Sequence, residues 1–344
     1  MPKAPQNPSA SFLVPVYNAQ DTVEEAVNTL LTQSHADFEV VAVDDGSTDR
    51  TPQILDQLAS QDSRVRVQHL GHQGLIQALN AGIDVCRGAY IARFDADDRA
   101  HPDRLAHQLG YLQENRDIDA VGTQIHCFPD DRVAEGFRVY EAWINGLITP
   151  EEIAREIYIE SPLVHPTVTV RADALRRIGG YQENGWPEDY DLWLRLHTAG
   201  SRFAKIPEVL HEWRESDQRL TRTDSRYSVE NFIRAKVNYL LAGPLQTRRE
   251  VIVWGAGQMG RRISKHLLRG GADILAFVDI DPKKIGNTRR GSPIISPDDL
   301  PTTVASGNDP WILAAVPSRG ARDLIRKHLD GLGWAEGQMY ICVA

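Results

Sequence analysis

Three groups of carboxylates carry the chemistry of this 344-residue sequence: Asp44-Asp45, Asp95-Ala96-Asp97-Asp98 and Glu188-Asp189-Tyr190-Asp191. Carboxylates gathered at one place repel each other unless a cation joins them. Mg2+ and Mn2+ favour carboxylate oxygens and share their shell with substrate phosphates. An Asp-x-Asp closing a strand is therefore suited to hold such a metal against a diphosphate and to neutralise charge on a departing phosphate. Taken alone the triplet also fits a solvated acidic turn, so its meaning depends on the elements that position it. A second set of residues lies downstream. Gly255, Gly257 and Gly260 form Gly-x-Gly-x-x-Gly, and Asp279 follows 19 residues after Gly260. Between a strand and a helix, such glycines allow a tight turn and close approach. The helix N-terminus then faces a phosphate and the acid faces a ribose, as in dinucleotide sites.

The elements are legible from periodicity. Residues 11–16 form an apolar run without polar alternation, as in a strand buried on both faces. Asp21, with Glu24 three residues on, predicts a capped helix carrying Val23, Val27, Leu30 and Leu31 on one face. A strand over 38–43 runs into Asp44, and Thr51-Pro52 opens a helix with proline at its first position. A strand over 65–70, a helix over 75–86 and a strand over 89–94 follow, the last delivering Asp95. This alternation predicts a parallel α/β sheet with its polar chemistry at the C-terminal strand ends, where open sheets bind ligands. Further helices are expected over 102–115 and from 189 to 197, and a strand over 166–170. A helix over 227–241, stopped by Gly243-Pro244, is expected to close the first domain. Strands at 251–254, 274–278 and 311–316 and helices at 258–269 and 321–332 predict a second, smaller α/β unit. The expected domains are 8–244 and 245–344.

Composition narrows the class. Hydrophobic residues at 42% and charged residues at 25% suit a soluble globular chain long enough for two domains. No apolar run approaches the ~20 residues that span a bilayer. Residues 1–5 lack an apolar signal core, which predicts a cytoplasmic protein and leaves room for peripheral contact at the inner face of the membrane. Cys86, Cys127 and Cys342 are odd in number and far apart, against a disulfide framework or a cysteine zinc site. The net charge of -9 argues against nucleic-acid binding. That charge is uneven. Residues 246–344 hold 14 Lys+Arg and 10 Asp+Glu (+4), which leaves 24 and 37 (-13) for residues 1–245. Two units with different ligands, or two halves docked on each other, would both give this pattern.

The motifs follow in a telling order. Pro15-Val16-Tyr17-Asn18, Val43-Asp44-Asp45-Gly46-Ser47-Thr48-Asp49 and Tyr90 to Asp98 come first. Ser161 to Val168, containing His165-Pro166, and Glu188 to Arg195 complete the series. Over roughly residues 10–215 this closely resembles the family 2 glycosyltransferases, inverting enzymes of GT-A fold that use nucleotide-diphospho-sugars. The resemblance implies a mostly parallel sheet flanked by helices. It implies donor binding by Pro15, Tyr17, Asn18, Asp45, Arg93, Asp95, Ala96 and Asp97, with Tyr17 stacking on the base and Asp45 accepting from it. Asp44 is expected to serve its turn. Asp97, with Asp95, would ligate Mn2+ or Mg2+, and Asp98 is read as either a ligand or a helix cap. Asp189 matches the general base, with His165, Glu188 and Asp191 on the acceptor side. Where many relatives carry a histidine after the catalytic helix, this chain reads His211 to Asp217, and a ligand from that loop is left open.

The expected function is transfer of a sugar, from a UDP-sugar by preference, to a hydroxyl of a saccharide, lipid-linked or other acceptor. The C-terminal unit resembles small Rossmann-like domains of sugar-modifying proteins, which leaves a nucleotide or NAD there, or a docking or homo-oligomer role, open. Two other readings stand beside the first. One is a nucleotide-sugar-binding scaffold without turnover. The other is a bifunctional enzyme whose C-terminal domain modifies a sugar with NAD.

Overall fold

A computed structural model describes residues 7–216 and 219–344. The extreme N-terminus, on which the expectation about a leader rests, and Asp217 lie outside the described residues. Chain contacts divide the protein into two compact units. The first comprises Met1–Ala154, Pro162–Asn184 and Asp191–Thr223; the second comprises Arg155–Ser161, Gly185–Tyr190 and Asp224–Ala344.

In the first unit the strands are β1 (Ala10–Val16), β2 (Phe38–Asp44), β3 (Val65–His69), β4 (Tyr90–Arg93), β5 (Arg99–Ala100), β6 (Ala120–Phe128), β7 (Thr169–Arg171) and β8 (Phe203–Arg214). They form one sheet in the order β3-β2-β1-β4-β7-β6-β8-β5. β3, β2, β1 and β4 run parallel, β7 is antiparallel to both β4 and β6, and β8 is parallel to β6. All seven residues of β1 and of β2 are buried, Glu39 within β2 included, as in strands covered on both faces. Helices α1 (Val23–Leu31), α2 (Thr51–Gln61), α3 (Leu75–Val85) and α4 (Arg104–Glu114) connect the early strands. α1 buries Val23, Ala26, Val27 and Leu30, and each large side chain so buried contributes about 1.5–3 kcal/mol. Phe12 meets Phe38 and Phe94 edge to face at 5.5 and 6.5 Å. That core fixes the ends of β1, β2 and β4, where the motifs sit.

Two expectations change here. Asp21 does not cap α1: the N-cap is Thr22, without a side-chain bond, and the Ala19 carbonyl accepts from the Thr22 and Val23 N–H groups. The strand expected over 166–170 is instead a 3-10 turn, His165–Thr167, followed by β7. β6 and β8 were not signalled by alternation. In β8 the Pro207-Glu208 pair has no partner on β6, because the register jumps from Ile206 to Val209, and a bulge is how a sheet accommodates proline inside a strand. Beyond β6 lie α5 (Glu135–Asn145), α6 (Pro150–Glu156), α7 (Ala172–Arg177), α8 (Glu188–Thr198) and α9 (Leu220–Thr223).

From Asp224 onward the chain belongs to the second unit, which enters α10 (Val229–Ala242). It continues through β9 (Glu250–Trp254), α11 (Gln258–Arg269), β10 (Asp273–Val278), β11 (Thr288–Arg289), β12 (Ser292–Ile295), α12 (Leu300–Ser306), β13 (Trp311–Ala314), α13 (Ala321–Gly331) and β14 (Tyr340–Cys342). Its sheet order is β11-β12-β10-β9-β13-β14, parallel except for the β11–β12 hairpin. α10, expected to close the first domain, groups with this unit: its Glu230 pairs with Lys265 and His266 of α11 at 3.1 and 2.8 Å. Residues 155–161 belong here because buried Glu156 binds Arg322 and Arg326 of α13 at 3.0 and 2.7 Å. The buried Lys236 ammonium also donates to the Ile159 and Val343 carbonyls. Among the described residues no helix is long and apolar enough to cross a membrane.

Candidate active site

The turns after β1 and β2 interlock. Asn18 takes a left-handed backbone (φ 49°), its N–H donates to Ser47 Oγ at 2.8 Å, and its side-chain oxygen accepts from the Thr48 N–H at 2.8 Å. Tyr17 is 47% exposed and stacks on the His72 ring at 4.3 Å. Pro15 is buried within β1, opposite Val43. Gly46 (φ +70°) passes so close to the start of α3 that a Cβ there would lie 2.6 Å from the His72 nitrogen. Asp44 is committed to its turn and neighbour strand, accepting from the Ser47 N–H and bonding His69. The Asp45 carboxylate accepts from the Gln73 and Gly74 N–H groups, both at 2.8 Å, and contacts His72 Nδ1 at 2.9 Å. Asp45, expected to accept from a base, thus already anchors the loop entering α3.

At the end of β4, Asp95, Asp97 and Asp98 bring one carboxylate oxygen each within 4.8 Å of one another. Burial, then the neighbouring Asp98 and Asp95 charges, push the Asp97 carboxyl up to about 8. Asp98 is 1% exposed, and burial with the Asp95 charge raises it well above the usual carboxylate range. Asp98 does not cap a helix, since α4 is preceded by Asp103. It accepts instead from the Arg214 N–H and bonds His211 Nε2, both at 2.8 Å. His211 is buried, and burial and Arg104 hold its pKa well below the ordinary value. The neutral ring therefore donates from Nε2 to Asp98, while Nδ1 accepts from Arg104 at 3.0 Å. Arg104 also donates to the Arg93 carbonyl (2.9 Å) and to Gln108 (3.2 Å), whose amide reaches the Val121 and Thr167 carbonyls. This buried chain forms the floor of the acidic cluster. Ala96 is an 8% exposed spacer between the ligand candidates. Arg93 pairs with Asp95 at 2.5 Å. His165 is buried and bonds the Tyr181 hydroxyl at 2.6 Å.

The head of α8 sorts its own carboxylates. Glu188 is 2% exposed and accepts from the Tyr227 hydroxyl at 2.8 Å. Asp191 is fully buried and binds Arg195 at 2.7 Å and Asn184 at 3.1 Å. Asp189 is the partly exposed member. Sequence reasoning missed Arg104, Tyr181 and Tyr227. A signal existed for the first in the buried-face spacing of Arg104, Leu105, Gln108 and Leu109. None existed for Tyr227, which lies 39 residues from its partner.

In the second unit the glycine-rich turn joins β9 to α11. A Cβ on Gly260 would lie 1.8 Å from the Gly255 carbonyl oxygen, and Gly255 itself has φ +117°, so both positions require glycine. Gly257 faces open space. Asp279 accepts from the Ala256 N–H, the Asp281 N–H and Lys284, each at 3.0 Å. Although burial works against its charge, these bonds lower its pKa. The acid expected to meet a ribose is a brace for the turn in this structure.

A strand-end carboxylate cluster on a mixed α/β sheet is the arrangement of GT-A sugar transferases, and comparison with known proteins gives the family. The profile for glycosyl transferase family 2 matches residues 11–179, and one described as C2185-like, N-terminal, matches residues 247–304. EpsE of Bacillus subtilis, named as a glycosyltransferase, is 32% identical over 231 residues, 66% of this chain and 80% of that protein. The chain belongs to glycosyl transferase family 2. Among solved structures, S. aureus TarS in complex with UDP-GlcNAc aligns with TM-score 0.56 and 19% identity, over 76% of this chain and 72% of that one. The mannosyltransferase PcManGT of Pyrobaculum calidifontis, in complex with GDP-Man and Mn2+, aligns with TM-score 0.50 and 17% identity, over 97% and 83%. These two likenesses speak to the fold.

Proposed function

We propose that the chain is a metal-dependent inverting glycosyltransferase. It moves a sugar from a nucleoside-diphospho-sugar, a UDP-sugar by preference, to a hydroxyl of a saccharide or lipid-linked acceptor in glycan assembly. The observation that carries this reading is the convergence of Asp95, Asp97 and Asp98 within 4.8 Å, with Asp97 pushed up to about 8 by burial and its two neighbours. Such a cluster stores repulsion that a cation relieves, and its all-oxygen donor set suits Mn2+ or Mg2+. Asp97 and Asp95 are the ligands in this reading, because Asp98 is engaged by His211 and Arg214. Bound there, the cation would neutralise charge on the leaving diphosphate.

Asp189 is assigned as the general base. Glu188 and Asp191, its competitors, are buried and bonded to Tyr227 and Arg195, while Asp189 keeps partial exposure. The base takes the proton of the acceptor hydroxyl. The acceptor oxygen then bonds to the anomeric carbon as the bond from that carbon to the diphosphate oxygen breaks on the opposite side, which inverts the centre. Tyr17, with Asn18 beside it, is assigned to the nucleobase, the exposed Tyr17 ring offering the stacking face. The sugar nucleotides named for TarS and PcManGT support a donor of this class, and the Mn2+ of the latter supports the metal. The second unit is read as an accessory domain, since Asp279 is engaged within its own turn.

The test is a binding titration of the purified chain with UDP, GDP, dTDP and NAD, with Mn2+ and again with EDTA. The reading predicts that one nucleoside diphosphate binds only with metal. Binding of NAD alone would overturn it and move the active site to the glycine-rich turn.

A further inference from the structure

Asp189 is flanked along the chain by two residues that the second unit holds. Glu188, 2% exposed, accepts from the Tyr227 hydroxyl, which lies 2.8 Å from each of its carboxylate oxygens. Tyr190 is fully buried; its hydroxyl donates to the Ile157 carbonyl at 2.8 Å, and its ring packs on Phe232 of α10 at 5.5 Å. Burial holds both phenols well above the usual tyrosine range, so each stays protonated and acts as a donor. Residues 155–161, 185–190 and 224 onward, which supply every group in this network, belong to the second unit.

The segment that receives Tyr190 is itself fixed on both sides of Ile157. Before it, Glu156 pairs with Arg322 and Arg326; after it, the Ile159 carbonyl accepts from Lys236 at 3.0 Å. Lys236 is 4% exposed and makes a second bond, at 2.6 Å, to the Val343 carbonyl beyond β14. A buried ammonium is costly to desolvate, and an apolar side chain would serve stability there at least as well. What Lys236 supplies and an apolar residue does not is a fixed place for the Ile159 carbonyl, two residues from the one that Tyr190 reaches.

We propose that Tyr227 and Lys236 are positioning residues for Asp189, and that through them the second unit takes part in transfer. The inference rests on the reading of Asp189 as the general base. Tyr227 acts through Glu188 on one side of the base. Lys236 acts through the 155–161 segment and Tyr190 on the other. Each sets where the carboxylate stands. A base must lie within hydrogen-bond reach of the proton it takes, and a misplacement of about 1 Å can cost about 10²-fold in rate.

The experiment uses the full chain as wild type, Tyr227→Phe, Lys236→Met, Asp189→Asn and the Asp189→Asn/Tyr227→Phe double variant. Calorimetry with Mn2+ measures UDP and GDP affinity. Release of nucleoside diphosphate from UDP-glucose, UDP-N-acetylglucosamine or GDP-mannose, with glucose or N-acetylglucosamine as acceptor, measures turnover. Hydrogen exchange across residues 185–195 reads the order of the base's segment without any substrate. Tyr227→Phe and Lys236→Met are expected to speed that exchange and to lower kcat by about 10-fold or more. Nucleoside diphosphate affinity should stay within about 2-fold of wild type. In the Asp189→Asn background Tyr227→Phe should cost less than about 2-fold further, because a residue that acts through the base has nothing left to position. Losses that multiply in the double variant would overturn the proposal and leave Tyr227 a stabilising residue. Unchanged exchange across 185–195 in both single variants would overturn it too. Wild-type turnover in Asp189→Asn would instead overturn the base assignment on which it rests. Circular dichroism checks each fold, and Tyr227→Phe, which removes one oxygen, carries the test if Lys236→Met does not fold.

Discussion

Each unit of this chain places aspartates just beyond a parallel strand, and the two sites are built in opposite ways. After β10, Asp279 is met by two backbone N–H groups and Lys284, so its charge is welcome and its pKa falls. After β4, Asp97 is buried against Asp95 and Asp98, and its carboxyl is pushed up to about 8. The first arrangement is complete as folded. The second is electrostatically unfinished, and on the proposed reading a cation would stabilise it. A carboxylate beyond a strand therefore suggests ligand chemistry only when the fold has not already satisfied it.

The contrast can be broken at several points. The largest effect is expected from Asp97→Ala, which should abolish metal-dependent donor binding and cost about 10³-fold or more in kcat/KM; calorimetry with Mn2+ and a release assay for the nucleoside diphosphate check both. Asp189→Asn should leave donor affinity intact and lower kcat by about 10²–10⁴-fold. Equal loss of donor affinity in both variants would break the division of roles.

Next comes pH. Asp97 has a folded pKa raised above its unfolded value, so in EDTA the unfolded state releases its proton first and stability falls as pH rises from about 4 to about 8. Mn2+ should reverse that loss, and Asp97→Asn should flatten the slope in thermal melts. Asp279 has the opposite sign. Its lowered folded pKa contributes stability above the unfolded value, near 3.8, which is lost as pH falls through the folded value. The smallest effect is expected from Asp279→Asn, a loss of about 1–3 kcal/mol in the second unit with donor affinity unchanged. A loss of transferase activity out of proportion to stability would give the glycine-rich turn a role in catalysis.

Much of this was legible in the sequence. The apolar run of β1 and the 3.6-residue spacing of α1 mark local structure that their own residues determine. The acidic cluster, too, is contiguous in sequence. What could not be read comes from distant pairings. Asp98 meets His211 across 113 residues and Glu188 meets Tyr227 across 39, so nothing local marks either histidine or tyrosine as a partner. β8 was obscured because Pro207 and four charged residues, Lys205, Glu208, Glu212 and Arg214, fall within it, and the bulge against β6 accommodates the proline. Asp279 shows the reverse. Its motif spacing suits a ribose, while its engagement by Ala256 and Lys284 appears only in three dimensions.

The central claim is that the β4 carboxylates hold a divalent cation that presents the donor diphosphate. The direct measurement is calorimetric binding of UDP and GDP to wild type and Asp97→Ala, with Mn2+ and with EDTA. The account predicts that binding of one of them to wild type requires Mn2+ and disappears in the variant. Equal affinity with and without metal, or binding retained in Asp97→Ala, would contradict it.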